Sequence, residues 1–190
     1  MKTMNIKSNL EAWEYEGGHL EEHLVKGKSK MYPTKNSISE KSRIQMAGLL
    51  QIHLCNSIDL MMQAKQAHWN VKGSNFFGLH GFFDHVAEST ERYVDQIAER
   101  IVQLGGTAEG TLQSTAKHTE LPVYPLNISQ SNHHLTALAF ALATYGERIR
   151  SAISLAQELS DPVSVDIFTE ISRGADKYLW LVESHLNADR

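Results

Sequence analysis

Residues 76–104, FFGLHGFFDHVAESTERYVDQIAERIVQL, carry the pattern that decides the fold. Within them Phe83, Ala87, Thr90, Val94, Ile97, Ile101 and Leu104 recur at alternating spacings of four and three, the stripe that a helix buries in a bundle. At about 100° of turn per residue, His80, Asp84, Asp95 and Glu99 fall on one flank, centred about 120° from that stripe. They therefore face away from their own bundle. His80 and Asp84 are one turn apart, as are Asp95 and Glu99, so each pair can hold a cation between two side chains. Between Asp84 and Asp95 the helix rises about 16 Å, too far for donors whose bonds to a metal are near ~2 Å. Two such helices packed antiparallel about a two-fold axis set His80 and Asp84 of one chain opposite Asp95 and Glu99 of the other. The pattern predicts two equivalent sites per pair of chains.

His68 fits the same arrangement. It ends a long helix in Ala67-His68-Trp69-Asn70, and Gly73-Ser74-Asn75 then turn the chain into the next helix, so His68 can lie beside His80. Two imidazoles and three carboxylates without a thiolate suit Fe(II), Zn(II) or Mn(II) better than calcium or copper(I). Solvated charges on an exposed face would account for any one of these pairs. Five donors in register, with Phe77 and Val102 apolar on the same flank, favour a shared metal site.

These residues resemble the Dps family, the bacterial mini-ferritins named as DNA-binding proteins from starved cells. The resemblance rests on Lys65-Gln66-Ala67-His68-Trp69-Asn70-Val71-Lys72-Gly73, Asn75-Phe76, Leu79-His80, Asp84, Asp95 and Ala98-Glu99-Arg100-Ile101-Val102-Gln103-Leu104-Gly105-Gly106. It extends from about Tyr32 to Leu186 and includes Tyr124-Pro125-Leu126, Ser172-Arg173 and Leu179-Trp180. The order His, His, Asp, Asp, Glu at these spacings is similar to the family's ferroxidase pattern. The resemblance implies an all-α, ferritin-like four-helix bundle with a long crossover carrying a short helix between helices 2 and 3. It further implies a hollow dodecamer in which Fe(II) is oxidised by hydrogen peroxide, with O2 as an alternative oxidant, and ferric mineral is stored. Zinc or another divalent ion can stand in for iron. The ligands expected are His68, His80 and Asp84 from one subunit with Asp95 and Glu99 from its two-fold partner. Carboxylate and imidazole donors stabilise Fe(III), which agrees with an oxidoreductase acting on metal ions and protecting against oxidative stress.

Length and composition are compatible. A chain of 190 residues with 42% hydrophobic content can bury one core. Residues 1–36 read as an extension, flexible or strapped over a neighbouring subunit, and residues 37–190 as the bundle domain. Ser37 with Glu40 reads as a capping box opening a first helix over about Ile38 to Val71. The second is expected from Asn75 to Leu104, stopped by Gly105-Gly106. A short helix near Leu112 to Lys117 lies in the crossover, whose length permits an end-to-end return. The third helix begins near Ser129 or Ser131 and ends before Asp161. Asp161-Pro162 start the fourth, as cap and first helical residue, and it runs to about Asn187. The lone Cys55 gives no disulfide framework. No signal peptide and no apolar stretch of membrane-spanning length are visible, so the expectation is a soluble, cytoplasmic protein with no membrane partner.

Weaker features remain. The resemblance implies that acidic residues such as Asp161, Asp166 and Glu170 line a three-fold iron-entry pore, although Asp161 is also explained as a cap and the others as surface charges. His19 and His23 with Glu16 could hold an accessory ion. His53, His85, His118, His133, His134 and His185 read as hydrogen-bonding or surface residues. Trp69 and Trp180 fit either a place beside the metal, intercepting oxidising equivalents, or ordinary core packing. A di-iron site inside one bundle would need paired Glu-x-x-His motifs, and only Glu16-Gly-Gly-His19 has that form. An inert bundle that merely assembles is a further alternative. Another is duplex DNA binding through the tail, with nucleoid association. Six lysines face five glutamates up to Asn36 and the whole chain carries −4, yet Lys26, Lys28, Lys30 and Lys35 form a locally basic run.

Overall fold

Local chemistry sets where each helix begins and ends in the computed structural model, which describes residues 30–187. The first helix, α1 (Glu40–Asn70), opens at Ser39, whose hydroxyl accepts the Ser42 amide at 3.1 Å. The cap is thus Ser39 and not the expected Ser37. Asn36 Oδ1 accepts the Ile38 amide at 2.9 Å, and this side-chain turn keeps the backbone out of the helix for two residues more. The second helix, α2 (Phe76–Gln103), stops ahead of Gly105, which sits at φ +91°. A Cβ there would lie 2.5 Å from the Tyr32 carbonyl oxygen, and the Tyr32 amide donates to Gly105 O at 2.7 Å. Arg43 Nη1 donates to Leu104 O at 2.8 Å, satisfying a carbonyl that the helix end leaves free.

The crossover carries α3 (Leu112–His118), capped by Thr111, and leads to α4 (Ser131–Glu158). The last helix, α5 (Pro162–Asn187), follows Asp161, whose Oδ1 accepts the Ser164 amide at 3.3 Å, as expected of its cap. α1 packs on α2 and α4 on α5, while α1–α4 and α2–α5 contacts join the two hairpins and α3 lies on α1. The turn after α1 meets the start of α4 through a parallel bridge between Lys72 and Gln130, so α4 begins where α2 begins and runs parallel to it. The architecture is an all-α four-helix bundle with an end-to-end crossover, the topology expected from the chain length between α2 and α4.

The stripe of α2 is the core side of that helix. Phe83, Ala87, Thr90, Ile97, Ile101 and Leu104 are buried, and Val94 is half-buried. They meet Met46, Leu50, Leu54 and Leu60 of α1, Leu138, Tyr145 and Ile149 of α4, and Phe168 and Ile171 of α5. Each fully buried leucine or phenylalanine contributes about 1.5–3 kcal/mol of transfer free energy, so this stripe fixes the rotation of α2 and hence which flank faces out. That flank leaves Phe77 90% and Val102 58% exposed. No described helix is long and apolar enough to cross a membrane.

Candidate metal centre

The final turn of α1 and the first turns of α2 bring His68 and His80 together. His68 Nδ1 lies 2.7 Å from His80 O, and His80 Nδ1 lies 2.9 Å from His68 O. The rings stack with centroids 3.7 Å apart at 22°. A carbonyl can only accept, so each Nδ1 carries a proton, and the neutral form of each ring then has its lone pair on Nε2, the atom left to bind a metal.

Asp84, one turn after His80, is half-buried, and its Oδ1 stands 4.0 Å from His68 Nδ1. The Lys65 ammonium, from the preceding turn of α1, donates to the same carboxylate. That hydrogen bond, with the positive charge behind it, holds the Asp84 carboxyl below the usual carboxylate range against the opposing pull of desolvation. Lys65 therefore occupies the place that a bound cation would share. Nothing in the sequence pattern signalled this pairing.

Asp95 and Glu99 are exposed on the same flank of α2. They lie at the far end from His80 and Asp84, and among the described residues no three His, Cys, Asp or Glu side chains converge on one cation position. The structure of one chain thus brings His68, His80 and Asp84 into one neighbourhood and leaves Asp95 and Glu99 apart. Trp69 and Trp180 are 60% and 63% exposed, so core packing does not explain them.

The three acidic residues expected at a pore separate into two kinds. Asp161 is 1% exposed and its Oδ1 accepts from Arg100 Nη2 at 2.6 Å, while Ser164 Oγ donates to Oδ2 at 2.6 Å. A carboxylate so enclosed by its own chain cannot line a channel, and the expectation for Asp161 is corrected to a helix cap in a buried ion pair. Asp166 and Glu170 are exposed one turn apart, and Glu170 Oε2 accepts from Gln96 Nε2 at 3.2 Å. Of the histidines expected to be hydrogen-bonding or surface residues, two are buried. His53 is buried against Phe168, and His134 is buried beside Tyr124. His19, His23 and Glu16 lie outside the described residues.

Positions 47–190 match the ferritin-like domain family. A DNA protection during starvation protein of Agrobacterium fabrum is 41% identical over 157 residues, covering 83% of this chain and 97% of its own length. The tetragonal form of Mycobacterium smegmatis Dps superposes with a TM-score of 0.79 at 32% identity, over 83% of this chain and 94% of that one. Dps from Microbacterium arborescens in its high iron form gives 0.73 at 30% identity, over 82% and 99%.

Proposed function

The chain belongs to the Dps family of ferritin-like proteins, and from that premise we propose that it takes up Fe(II), oxidises it at sites shared by two copies, and stores the ferric product. Each site draws His68, His80 and Asp84 from one copy and Asp95 and Glu99 from the two-fold partner. The observation that carries this reading is the interlocked His68–His80 pair, whose Nδ1 atoms are spent on backbone carbonyls beside Asp84. The bare Phe77 and Val102 on the same flank supply the apolar contact that a second copy would cover.

Iron is the substrate here. Imidazole and carboxylate donors favour the ferric state, and a coordination sphere not filled by protein leaves room for an oxidant. With hydrogen peroxide the step balances when two Fe(II) each give up one electron, the O–O bond breaks and two protons are taken up, leaving two Fe(III) and two waters. O2 is the alternative oxidant, and zinc or another divalent ion competes for the same donors. The product collects in a hollow dodecamer, and cations enter past Asp166 and Glu170, whose charge draws them in. The protein works in the cytoplasm, limiting oxidative stress.

Fe(II) oxidation by peroxide, followed by absorbance, tests the reading. The protein should accelerate it over buffer, and Asp95→Ala or Glu99→Ala should slow it by about tenfold or more. An unaltered rate in both variants would overturn the assignment.

Duplex DNA binding by residues 1–36 is the second reading. It is favoured by Lys26, Lys28, Lys30 and Lys35 and by the DNA-protection name that the Agrobacterium relative bears. Such binding would associate the protein with the nucleoid. A gel shift at low salt, lost at high salt and on removal of the first 36 residues, supports it, and no shift at low salt removes it.

A further inference from the structure

Between the crossover and the start of α4 the surface opens into a groove of about 460 Å³. One wall is the stretch 121–128, where Pro122 and Pro125 lack amide donors and keep the chain out of a helix. Two polar anchors hold this wall against the bundle. Gln63 Nε2 donates to Pro122 O at 3.0 Å, and the buried Tyr124 places its hydroxyl 2.6 Å from His134 Nδ1. With Tyr124 turned inward, its neighbour Val123 turns outward and is 95% exposed. Phe140 of α4 stands across the groove, 66% exposed, and Leu126 lies exposed just beyond it in the crossover.

No charged side chain lines this groove, although 21% of the chain is charged. Aliphatic and aromatic surface depleted of charge is the composition of the centre of a protein contact, and it is wrong for an ionic ligand or a nucleic acid. A small molecule lodged in the groove would still leave Val123 and Leu126 facing water, whereas a protein surface laid across it covers both along with Phe140.

Symmetry identifies the occupant. The contact through the α2 flank relates two copies by a two-fold axis, and such a contact is satisfied by a pair and goes no further. A hollow shell needs a second, different contact on every copy, made by surface that the first leaves free. The groove is built by α1, the crossover and α4, with no residue from α2, whose flank carries Phe77 and Val102. We infer that a further copy of this chain seats on the groove between Val123 and Phe140, outside the two-fold contact, and that this joint closes pairs into the shell. The inference rests on the hollow-shell reading above and divides the work between two contacts. Iron oxidation belongs to the pair, and retention of the ferric product belongs to the closed shell.

Sedimentation of the full-length chain, with circular dichroism as the check on folding, tests this. The unaltered protein should sediment as the shell. Val123→Glu and Phe140→Glu each set an unpaired carboxylate in the joint and should shift shell assembly to at least about tenfold higher protein concentration, leaving folded pairs. Those pairs should oxidise Fe(II) with peroxide at the parent's rate per chain, while the ferric product falls out of solution instead of sedimenting with protein. Val123 stands outside the core, so its variant decides the matter even where Phe140→Glu fails to fold. Shells like the parent's in both variants overturn the inference, as do variants that fall to monomers and lose oxidation, which would assign the groove to the two-fold contact. The thiol of Val123→Cys should resist a maleimide in the shell. Shielding that disappears from intact shells when residues 1–29 are removed would give the groove to that segment and overturn the inference too. An unaltered protein that sediments only as pairs removes the shell from the proposed function, and the inference with it, but leaves the iron site standing.

Discussion

At the proposed site Lys65 would govern how Asp84 meets a cation. Its ammonium donates to the Asp84 carboxylate, so a cation bound there would have to displace one positive charge with another. Both side chains are about one-third exposed and the pair is screened, so the competition is modest. Zn(II) should bind Lys65→Met more tightly, on the order of fivefold, by calorimetry. Because the Asp84 carboxyl is held below its usual range, the pair persists at neutral and mildly acid pH and is lost only as pH falls through the depressed value. The gain should therefore be the same at pH 6 and pH 8 apart from histidine protonation, and a variant with weaker or unchanged affinity would show that Lys65 does not compete. His53 makes a different pH argument. It is enclosed, its Nδ1 has no partner among the described residues, and burial, aided by Arg148, lowers its pKa from 6.5 to about 3. Between those values the unfolded chain binds a proton that the folded chain refuses. Stability is full above pH 6.5 and falls as pH drops, by up to about 1.4 kcal/mol per pH unit from this residue. Urea unfolding at pH 7, 6 and 5 should show a shallower acid decline in His53→Leu than in the parent, and identical slopes would contradict it.

α2 and α5 are joined at several depths, and two of these contacts are specific enough to test. Near the α2 C-terminus, Arg100 and Asp161 form a buried pair supported by Ser164. Nearer the middle, Tyr93 reaches Gly174 so closely that a Cβ there would lie 2.0 Å from its hydroxyl and 3.0 Å from Cζ. Gly174→Ala should destabilise the bundle by about 1–3 kcal/mol, because the tyrosine ring cannot yield without disturbing the core around it. Adding Tyr93→Phe removes the clashing oxygen and should return part of the loss, and thermal unfolding of the single and double variants measures both steps. A stability for Gly174→Ala equal to the parent would mean the two helices have room to part. The helices themselves were legible because each carries its own period and its own stop signals. α2 was expected over Asn75 to Leu104 and spans Phe76–Gln103, and Asp161-Pro162 announced α5. The start of α1 was misplaced because two serines compete for one cap, and the Asn36 side-chain turn decides for Ser39. Lys65–Asp84 and Arg100–Asp161 were beyond reading from spacing. Their partners lie 19 and 61 residues apart, and only the packing of helices brings them together. The same holds for the reciprocal His68–His80 bonds, whose proximity followed from the short turn but whose geometry did not.

At the scale of the assembly, the five proposed donors divide into two halves that one chain holds about 16 Å apart along α2. Phe77, just before His80 and 90% exposed, and Val102, just beyond Glu99 and 58% exposed, are apolar surface at the two ends of this flank that a second copy would cover. A two-fold contact makes each site a composite, and composite sites can be rebuilt from broken parts. One variant carrying His80→Ala and Asp84→Ala lacks the first half, and another carrying Asp95→Ala and Glu99→Ala lacks the second. Each should assemble, as judged by sedimentation, and each should oxidise Fe(II) at close to the buffer rate. In a mixed pair, the intact His80 and Asp84 of the second variant face the intact Asp95 and Glu99 of the first, giving one whole site and one doubly broken one. Coexpression at equal levels with random pairing makes half the pairs mixed, so about a quarter of the parent's sites and rate should return. If all five donors instead served a site within a single chain, every chain in the mixture would still lack two of them. Coassembled variants that stay as slow as either alone would then place the chemistry inside the protomer.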